Sequence, residues 1–162
     1  MRIAVVCLGN ICRSPMAEVV LRERLDEAGL TDVELVSAGT GDWHIGERMD
    51  RRAAATLRGA GYDPDRHRAK QWPVGDLASY DLVLAMDQQN LADLLRLAGD
   101  DEVDAARVRL FRDFDPDGAG LDVPDPYYGG NDGFTKVLEI VERTSDALVG
   151  RLVRDRAEVA ER

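Results

Sequence analysis

Four short apolar runs separated by amphipathic stretches constrain the fold of this chain more than any other feature. The runs are expected to form strands at residues 2–6, 33–36, 81–86 and 108–111. The stretches between and after them have helical spacing, and they are expected to form helices at residues 15–28, 48–58, 88–97 and 134 to about 159. Strands that alternate with helices build a parallel sheet covered by helices. The pattern therefore predicts an α/β fold.

The length of the chain suits one domain. At 162 residues, with 44% hydrophobic residues, it can bury one core, and no linker divides it. We therefore expect residues 1–162 to form a single domain. The first apolar run is too short for a signal peptide or a membrane span.

The net charge and the cysteine count limit the expected classes of binding partner and the expected cellular compartment. A formal net charge of −10 argues against nucleic acid or a membrane surface as the partner. The two cysteines are too few for the disulfide framework of a secreted domain, and free thiols are typical of a reducing compartment. The cytoplasm is the expected location, although the sequence leaves secretion without a leader open.

Residues 6–18, VCLGNICRSPMAE, join the first strand to the first helix. The helix is expected to begin at Ser14 and Pro15, so that the loop amides and the helix dipole attract an anion. The same positive surroundings favour the thiolate form of a cysteine, which makes Cys7 a candidate nucleophile. Arg13 adds a planar fork that can hold two phosphate oxygens. The combination predicts a thiolate that attacks a bound oxyanion, as in a phosphatase.

Nucleotide and metal sites are not expected. The loop lacks the lysine of a phosphate-binding loop of nucleotide hydrolases, and no dinucleotide fingerprint follows a strand. The acidic segment at 113–133 imitates the start of a calcium loop, but Pro124 stands where a bidentate glutamate is needed. Two cysteines and two histidines show no zinc-ligand spacing. We expect no metal and no cofactor.

Several motifs resemble one known family. Residues 7–18, CLGNICRSPMAE, are similar to the signature loop of the bacterial-type low-molecular-weight protein tyrosine phosphatases, and DPYYGG at 125–130 resembles their general-acid loop. SAGTGDW (37–43), HRAKQ (67–71) and LAMDQQN (84–90) also match in order and approximate spacing. The likeness covers most of the chain. It implies a single three-layer domain with a central four-stranded parallel sheet flanked by helices on both faces, which agrees with the apolar pattern.

The resemblance also implies roles for individual residues. Cys7 would form a phosphocysteine intermediate, Arg13 would bind the phosphoryl group, and Asp125 would protonate the leaving phenolate and later activate water. Composition alone leaves the general acid open among six aspartates: Asp113, Asp115, Asp117, Asp122, Asp125 and Asp132. The expected substrates are phosphotyrosine-containing proteins.

The remaining implied residues surround these three. The phosphate-binding loop would comprise Leu8, Gly9, Asn10, Ile11, Cys12 and Ser14. Ser14 would donate a hydrogen bond to Cys7, although a helix N-cap is an alternative role. Ser37 and His67 would support the loop. Trp43, Tyr127 and Tyr128 would wall a slot for a flat phosphoaryl group. Asp87 could equally support the site or cap the following helix.

Three other functions share parts of this pattern. Thiol-dependent arsenate reductases resemble the same loop, but they need further cysteines and this chain has none after Cys12. Protein arginine phosphatases typically carry threonine where this chain has Ile11, and an apolar side chain there favours an aromatic substrate. A phosphotyrosine-binding module without activity would not need Cys7 and Asp125 together.

The sequence also leads to expectations about oxidation, phosphorylation and oligomeric state. The resemblance suggests that Cys12 captures an oxidised Cys7 as a reversible disulfide. Tyr127 and Tyr128 are candidate targets of a tyrosine kinase. A monomer is the simplest assembly.

Overall fold

The computed structural model describes residues 1–73, 77–130 and 132–162. The described residues form four strands and five α-helices: β1 (Arg2–Cys7), α1 (Arg13–Glu27), β2 (Glu34–Gly39), α2 (Arg51–Gly59), β3 (Leu82–Ala85), α3 (Gln88–Ala98), α4 (Glu102–Ala106), β4 (Val108–Leu110) and α5 (Asp132–Ala160). Every predicted strand and helix is present, with bounds within three residues of those expected. The pattern missed the short α4 and two 3₁₀ turns, at Leu77–Ser79 and Phe111–Phe114.

The strands form one parallel sheet in the order β2-β1-β3-β4, which confirms the predicted fold. The chain passes from β1 to β2 on one side and then to β3 on the other, so the strand order reverses between β1 and β3. In open parallel sheets, ligands bind outside the carboxyl ends of the strands at such a reversal. Cys7 ends β1 and Ala85 ends β3. The topology therefore points to the loops that follow these two residues.

The strand β1 is apolar from Ile3 onwards because both of its faces are covered. Ile3 and Val5 pack in the core with α1, α2 and α5, whereas Ala4 and Val6 pack on the opposite face with α3. All four side chains are fully buried. Continuous apolar runs are typical of parallel strands covered on both sides. Among the described helices, none is long and apolar enough to cross a membrane.

The acidic segment 113–133 is anchored by a buried carboxylate; its residue 131 lies outside the described residues. Arg143 on α5 donates two hydrogen bonds to Asp115, of 2.7 and 2.9 Å, and Arg112 donates a third of 3.0 Å. These bonds, those from Arg143 first, lower the pKa of Asp115 to about 2 even though burial opposes the charge. The carboxylate therefore ties the acidic segment to the longest helix.

Replacing Asp115 with asparagine is expected to lower the free energy of unfolding by about 3 kcal/mol, because two arginines lose a buried partner. The pKa of Asp115 is lowered from 3.8, so its contribution is fully present above about pH 4. It is lost as the pH falls towards about 2, and it amounts to about 2 kcal/mol. Urea unfolding at pH 7 and pH 3 measures both effects. Asp117→Asn is the matched control, because Asp117 is exposed and its carboxylate lies farther from Arg143, at 3.5 Å. An equal loss of stability in this variant would contradict the role given to Asp115.

Candidate active site

A cavity of about 400 Å³ opens at the carboxyl end of β1, where the strand order reverses. Its wall brings together ten of the residues singled out in the sequence and adds His44. The lining residues are Cys7, Leu8, Gly9, Ile11, Cys12, Arg13, Trp43, His44, Asp125, Tyr127 and Tyr128. Asn10, Ser14, Ser37 and His67 do not line the cavity and lie behind its loop.

The sulfur of Cys7 receives hydrogen bonds from its own loop. The backbone N–H of Asn10 donates to Cys7 Sγ at 3.3 Å, and Ser14 Oγ lies 3.0 Å from the same sulfur. The side-chain amide of Asn10 donates to Ser14 Oγ at 2.8 Å, which leaves the Ser14 proton free to point at the sulfur. Two donors are therefore directed at the sulfur, an arrangement that suits a nucleophile.

Ser14 is not the N-cap of α1, so that alternative is wrong. The helix begins at Arg13, two residues before the predicted range of 15–28, and Cys12 occupies the cap position without a side-chain hydrogen bond. Ser14 therefore lies inside the first turn, fully buried. Its hydroxyl is directed towards Cys7, with the Ala38 carbonyl as a more distant acceptor at 3.4 Å.

Asn10 holds the loop in a left-handed turn. Its φ of 56° is the only positive value of a non-glycine residue in the described part of the chain. His67 Nε2 lies 2.6 Å from the Asn10 carbonyl, so this nitrogen carries the proton and donates. The Asn10 side chain donates to Ser37 Oγ at 3.0 Å, and Ser37 donates to Glu18. Backbone strain of this kind persists only when its surroundings hold it.

The end of β2 presses against the same loop. A Cβ atom at Gly39 would lie 2.7 Å from the Leu8 carbonyl oxygen, closer than real Cβ contacts. Glycine is therefore required for β2 to approach the loop. This contact supports the phosphate-binding loop from the side of β2.

Arg13 is buried, and two acceptors fix the orientation of its guanidinium group. Its Nη1 donates to Asp87 at 2.6 Å and to the Val123 carbonyl at 3.1 Å, while Nη2 lies 3.5 Å from Asp125 Oδ2. Burial alone would lower the pKa of Arg13, but the charges of Cys7, Asp87 and Asp125 raise it. The guanidinium is therefore a permanent positive charge with only 3% of the residue exposed.

Asp87 combines both roles considered for it. One carboxylate oxygen accepts from Asn90 N–H and caps α3, and the other accepts from Arg13. Asp87 follows the end of β3, at the same carboxyl edge of the sheet as the loop after β1.

Asp125 lies across the cavity from the loop, on the acidic segment. Its Oδ1 accepts from the Tyr127 N–H at 3.1 Å, and 41% of its side chain is exposed. Tyr127 and Tyr128 follow, with ring centroids 4.9 Å apart in an edge-to-face contact. Tyr128 is 92% exposed and Tyr127 38% exposed.

Trp43 also lines the cavity. Its ring lies where a side chain on Gly41 would be, because a Cβ there would come within 2.0 Å of the indole. Glycine therefore lets the indole approach the backbone closely. Trp43 remains 67% exposed and is available for contact with a ligand ring.

The second cysteine differs from Cys7 in its surroundings. Both thiols are free and buried. Burial, followed by the negative charge of Asp50, raises the pKa of Cys12 well above its ordinary value. Cys12 therefore stays a neutral thiol at neutral pH, and Cys7 is the candidate nucleophile of the pair.

Sequence reasoning missed three contributors: Glu18, Asp50 and Arg52. Asp50 caps α2 and its N–H donates to the Ile11 carbonyl, while Arg52 reaches the Tyr127 carbonyl. The sequence could have indicated the helix cap, since Asp50 precedes a helical stretch. It could not have indicated the long-range contacts with Ile11 and Tyr127.

Comparisons with known proteins agree with this geometry. The family described as "Low molecular weight phosphotyrosine protein phosphatase" matches residues 2–158. A low molecular weight protein-tyrosine-phosphatase of Streptomyces coelicolor is 52% identical over 160 residues, which cover 97% of this chain and 96% of that protein.

Solved structures carry the same fold. A protein tyrosine phosphatase of Entamoeba histolytica, with Hepes in its active site, superposes with a TM-score of 0.89 at 34% identity, covering 96% of this chain and 99% of the other. A mutant of the arginine phosphatase YwlE of Bacillus subtilis, with a phosphorylated active-site serine, gives 0.83 at 27% identity, covering 97% and 99%. The present chain belongs to the low molecular weight phosphotyrosine protein phosphatase family.

Proposed function

We propose that this protein is a protein tyrosine phosphatase that hydrolyses phosphotyrosine through a phosphocysteine intermediate. One observation carries the proposal: Cys7 Sγ, with donors at 3.0 and 3.3 Å, shares a cavity with the buried Arg13 guanidinium and with the Asp125 carboxyl group. Nucleophile, phosphate ligand and proton donor thus surround one space that a phosphoryl group can occupy.

In the first step, the Cys7 sulfur attacks phosphorus, the S–P bond forms, and the bond to the tyrosine oxygen breaks. Asp125 gives its proton to that oxygen, so tyrosine leaves neutral. In the second step, Asp125 takes a proton from water as the water oxygen attacks phosphorus. The S–P bond then breaks, and inorganic phosphate and the Cys7 thiolate result.

The loop and Arg13 stabilise the charge of both transition states. Phosphoryl transfer depends on positioned positive charge and hydrogen-bond donors. The amides of residues 8–13 follow β1 at the N-terminus of α1, where donors and the helix dipole favour an anion. Asp87 and the Val123 carbonyl aim Arg13 at this space.

The aromatic walls support selectivity for phosphotyrosine. Trp43, Tyr127 and Tyr128 line the cavity, and Ile11 adds an apolar surface beside the thiols. The phenyl ring of phosphotyrosine can pack against these aromatic faces. Phosphoserine has a shorter side chain and no ring to make that contact. Initial rates with matched phosphotyrosine, phosphoserine and phosphoarginine peptides test the proposal. Phosphotyrosine is expected to react fastest, and a preference for either other peptide would reject it.

Arginine phosphatase activity is the second candidate function, because the structural neighbour YwlE carries that name. Ile11 offers no hydroxyl to a guanidinium, and 8% of it is exposed in the cavity wall. Replacing Ile11 with threonine is expected to shift the ratio of kcat/KM towards phosphoarginine by about tenfold, the value of one hydrogen bond to a charged group. Ile11→Val is the matched control, since it changes the shape without adding a hydroxyl. Native preference for phosphoarginine would contradict our assignment.

We also infer the cellular setting. The substrates are phosphotyrosine-containing proteins, and the two free thiols favour the cytoplasm. The exposed Tyr128 and the half-exposed Tyr127 are open to a tyrosine kinase. We propose that the chain acts as a monomer, which size-exclusion chromatography with light scattering measures directly.

A further inference from the structure

We propose that Arg52 is a positioning residue that couples the phosphate-binding loop to the loop that carries Asp125. The proposal rests on the proposed function, in which Asp125 is the general acid. It deepens that function by naming what sets the position of the acid.

The first link joins the phosphate-binding loop to the start of α2. The N–H of Asp50 donates to the Ile11 carbonyl at 2.9 Å. The Asp50 carboxylate accepts from the N–H groups of Arg52 and Ala53, at 2.8 and 3.4 Å, and so caps the helix. The side chain of Asp50 is 12% exposed. Asp50 is therefore fixed by its neighbours on both sides.

The second link joins Asp50 to Arg52. The guanidinium donates from Nε to Asp50 Oδ1 at 3.2 Å and from Nη2 to Oδ2 at 3.1 Å. This fork-shaped pairing defines the plane of the guanidinium, which a single point charge would not do. Burial of Asp50 opposes its charge, but the hydrogen bond from Arg52 lowers the pKa of Asp50. The pair therefore stays ionic at neutral pH.

The third link joins Arg52 to the acid loop. Nη2 donates to the Tyr127 carbonyl at 3.0 Å, and the guanidinium carbon lies 4.8 Å from the centre of the Phe134 ring and 5.5 Å from that of Tyr127. Phe134 is 1% exposed and belongs to the first turn of α5. Cations are attracted to the faces of aromatic rings by the negative charge density there. Arg52 is thus held between a carboxylate, a carbonyl and two rings.

The last link reaches the carboxyl group itself. The Tyr127 N–H donates to Asp125 Oδ1 at 3.1 Å, and Arg52 holds the carbonyl of the same residue. Asp125 is 41% exposed, so little packing holds its side chain. A displacement of about 1 Å at a reacting group can reduce a rate 10²-fold. Without Arg52, the Tyr127 peptide loses its connection to α2, and the acid loses its fixed distance from the phosphate.

The test compares two aryl esters that differ in how much they need a general acid. Phenyl phosphate has a poor leaving group and needs protonation, whereas 4-nitrophenyl phosphate leaves with little help. For Arg52→Ala, kcat/KM for phenyl phosphate is expected to fall about tenfold, and that for 4-nitrophenyl phosphate less than about threefold. Arg51→Ala is the matched control, because Arg51 is an exposed arginine one residue earlier on the same helix. It is expected to change neither value.

Two further variants separate positioning from folding. Arg52→Lys keeps the charge but loses the fork, so it is expected to show the same selective loss with an unchanged melting temperature. In an Asp125→Asn background, Arg52→Ala is expected to add no further selectivity between the esters, since the acid is already absent. An equal loss on both esters, or none, would overturn the proposal. Wild-type protein that hydrolyses neither ester would instead refute the proposed function.

Discussion

Replacing Cys7 with serine is expected to reduce the hydrolysis of 4-nitrophenyl phosphate by at least about 10⁴-fold, because the reaction loses its nucleophile. Serine is close to cysteine in shape, and its oxygen can keep the contacts that Ser14 and the Asn10 N–H make with the sulfur. A hydroxyl is a much weaker nucleophile than a thiolate. The fold is expected to persist, and circular dichroism and the melting temperature measure it.

Cys12→Ser provides the matched comparison for the nucleophile. It makes the same atomic change in the same loop, at the thiol whose pKa is raised by burial. We expect a loss of at most about tenfold, since a neutral thiol is a poor nucleophile. Calorimetry with a phosphotyrosine peptide should show that the Cys7→Ser variant still binds, because Arg13 and the loop amides remain. Residual hydrolysis above about one per cent of wild type in Cys7→Ser would refute the mechanism.

The sequence predicts the nucleophile half of the site well because that half is local. Cys7, Arg13 and Ser14 lie within eight consecutive residues that pass from a strand to a helix, and short-range rules describe such a junction. The sheet is equally readable, since strands buried on both faces appear as continuous apolar runs. Even here the exact start of α1 was missed, because Pro15 fits several positions in a first turn.

The other half depends on contacts between distant residues. Arg13 meets Asp87 and Asp125 across separations of 74 and 112 residues, and Arg52 meets Tyr127 across 75. No local pattern encodes which of six aspartates faces the cavity. Only the resemblance singled out Asp125, and the structure brings that residue within 3.5 Å of Arg13. Tertiary packing decides such partners, which is why the long-range contacts of Asp50 and Arg52 escaped sequence reasoning.

Replacing Asp125 with asparagine is expected to lower kcat/KM for a phosphotyrosine peptide by about 10²- to 10⁴-fold, the usual contribution of a general acid. Asparagine preserves the shape and the hydrogen bond from the Tyr127 N–H, but it has no proton of suitable acidity to give. Asp122→Asn is the matched control, because Asp122 lies in the same segment and accepts from the Gln88 N–H instead. It is expected to stay within about threefold of wild type, within the range of ordinary surface substitutions.

The pH profile identifies the role of Asp125 more directly than the rate alone. The mechanism needs an ionised nucleophile and a protonated general acid at the same time, so the wild-type rate is expected to have a bell-shaped dependence on pH. Asp125→Asn removes the group responsible for the high-pH decline and leaves the decline at low pH. A variant that keeps the full bell shape would show that another group donates the proton. The five remaining candidate aspartates would then need the same test, beginning with Asp122, three residues before Asp125.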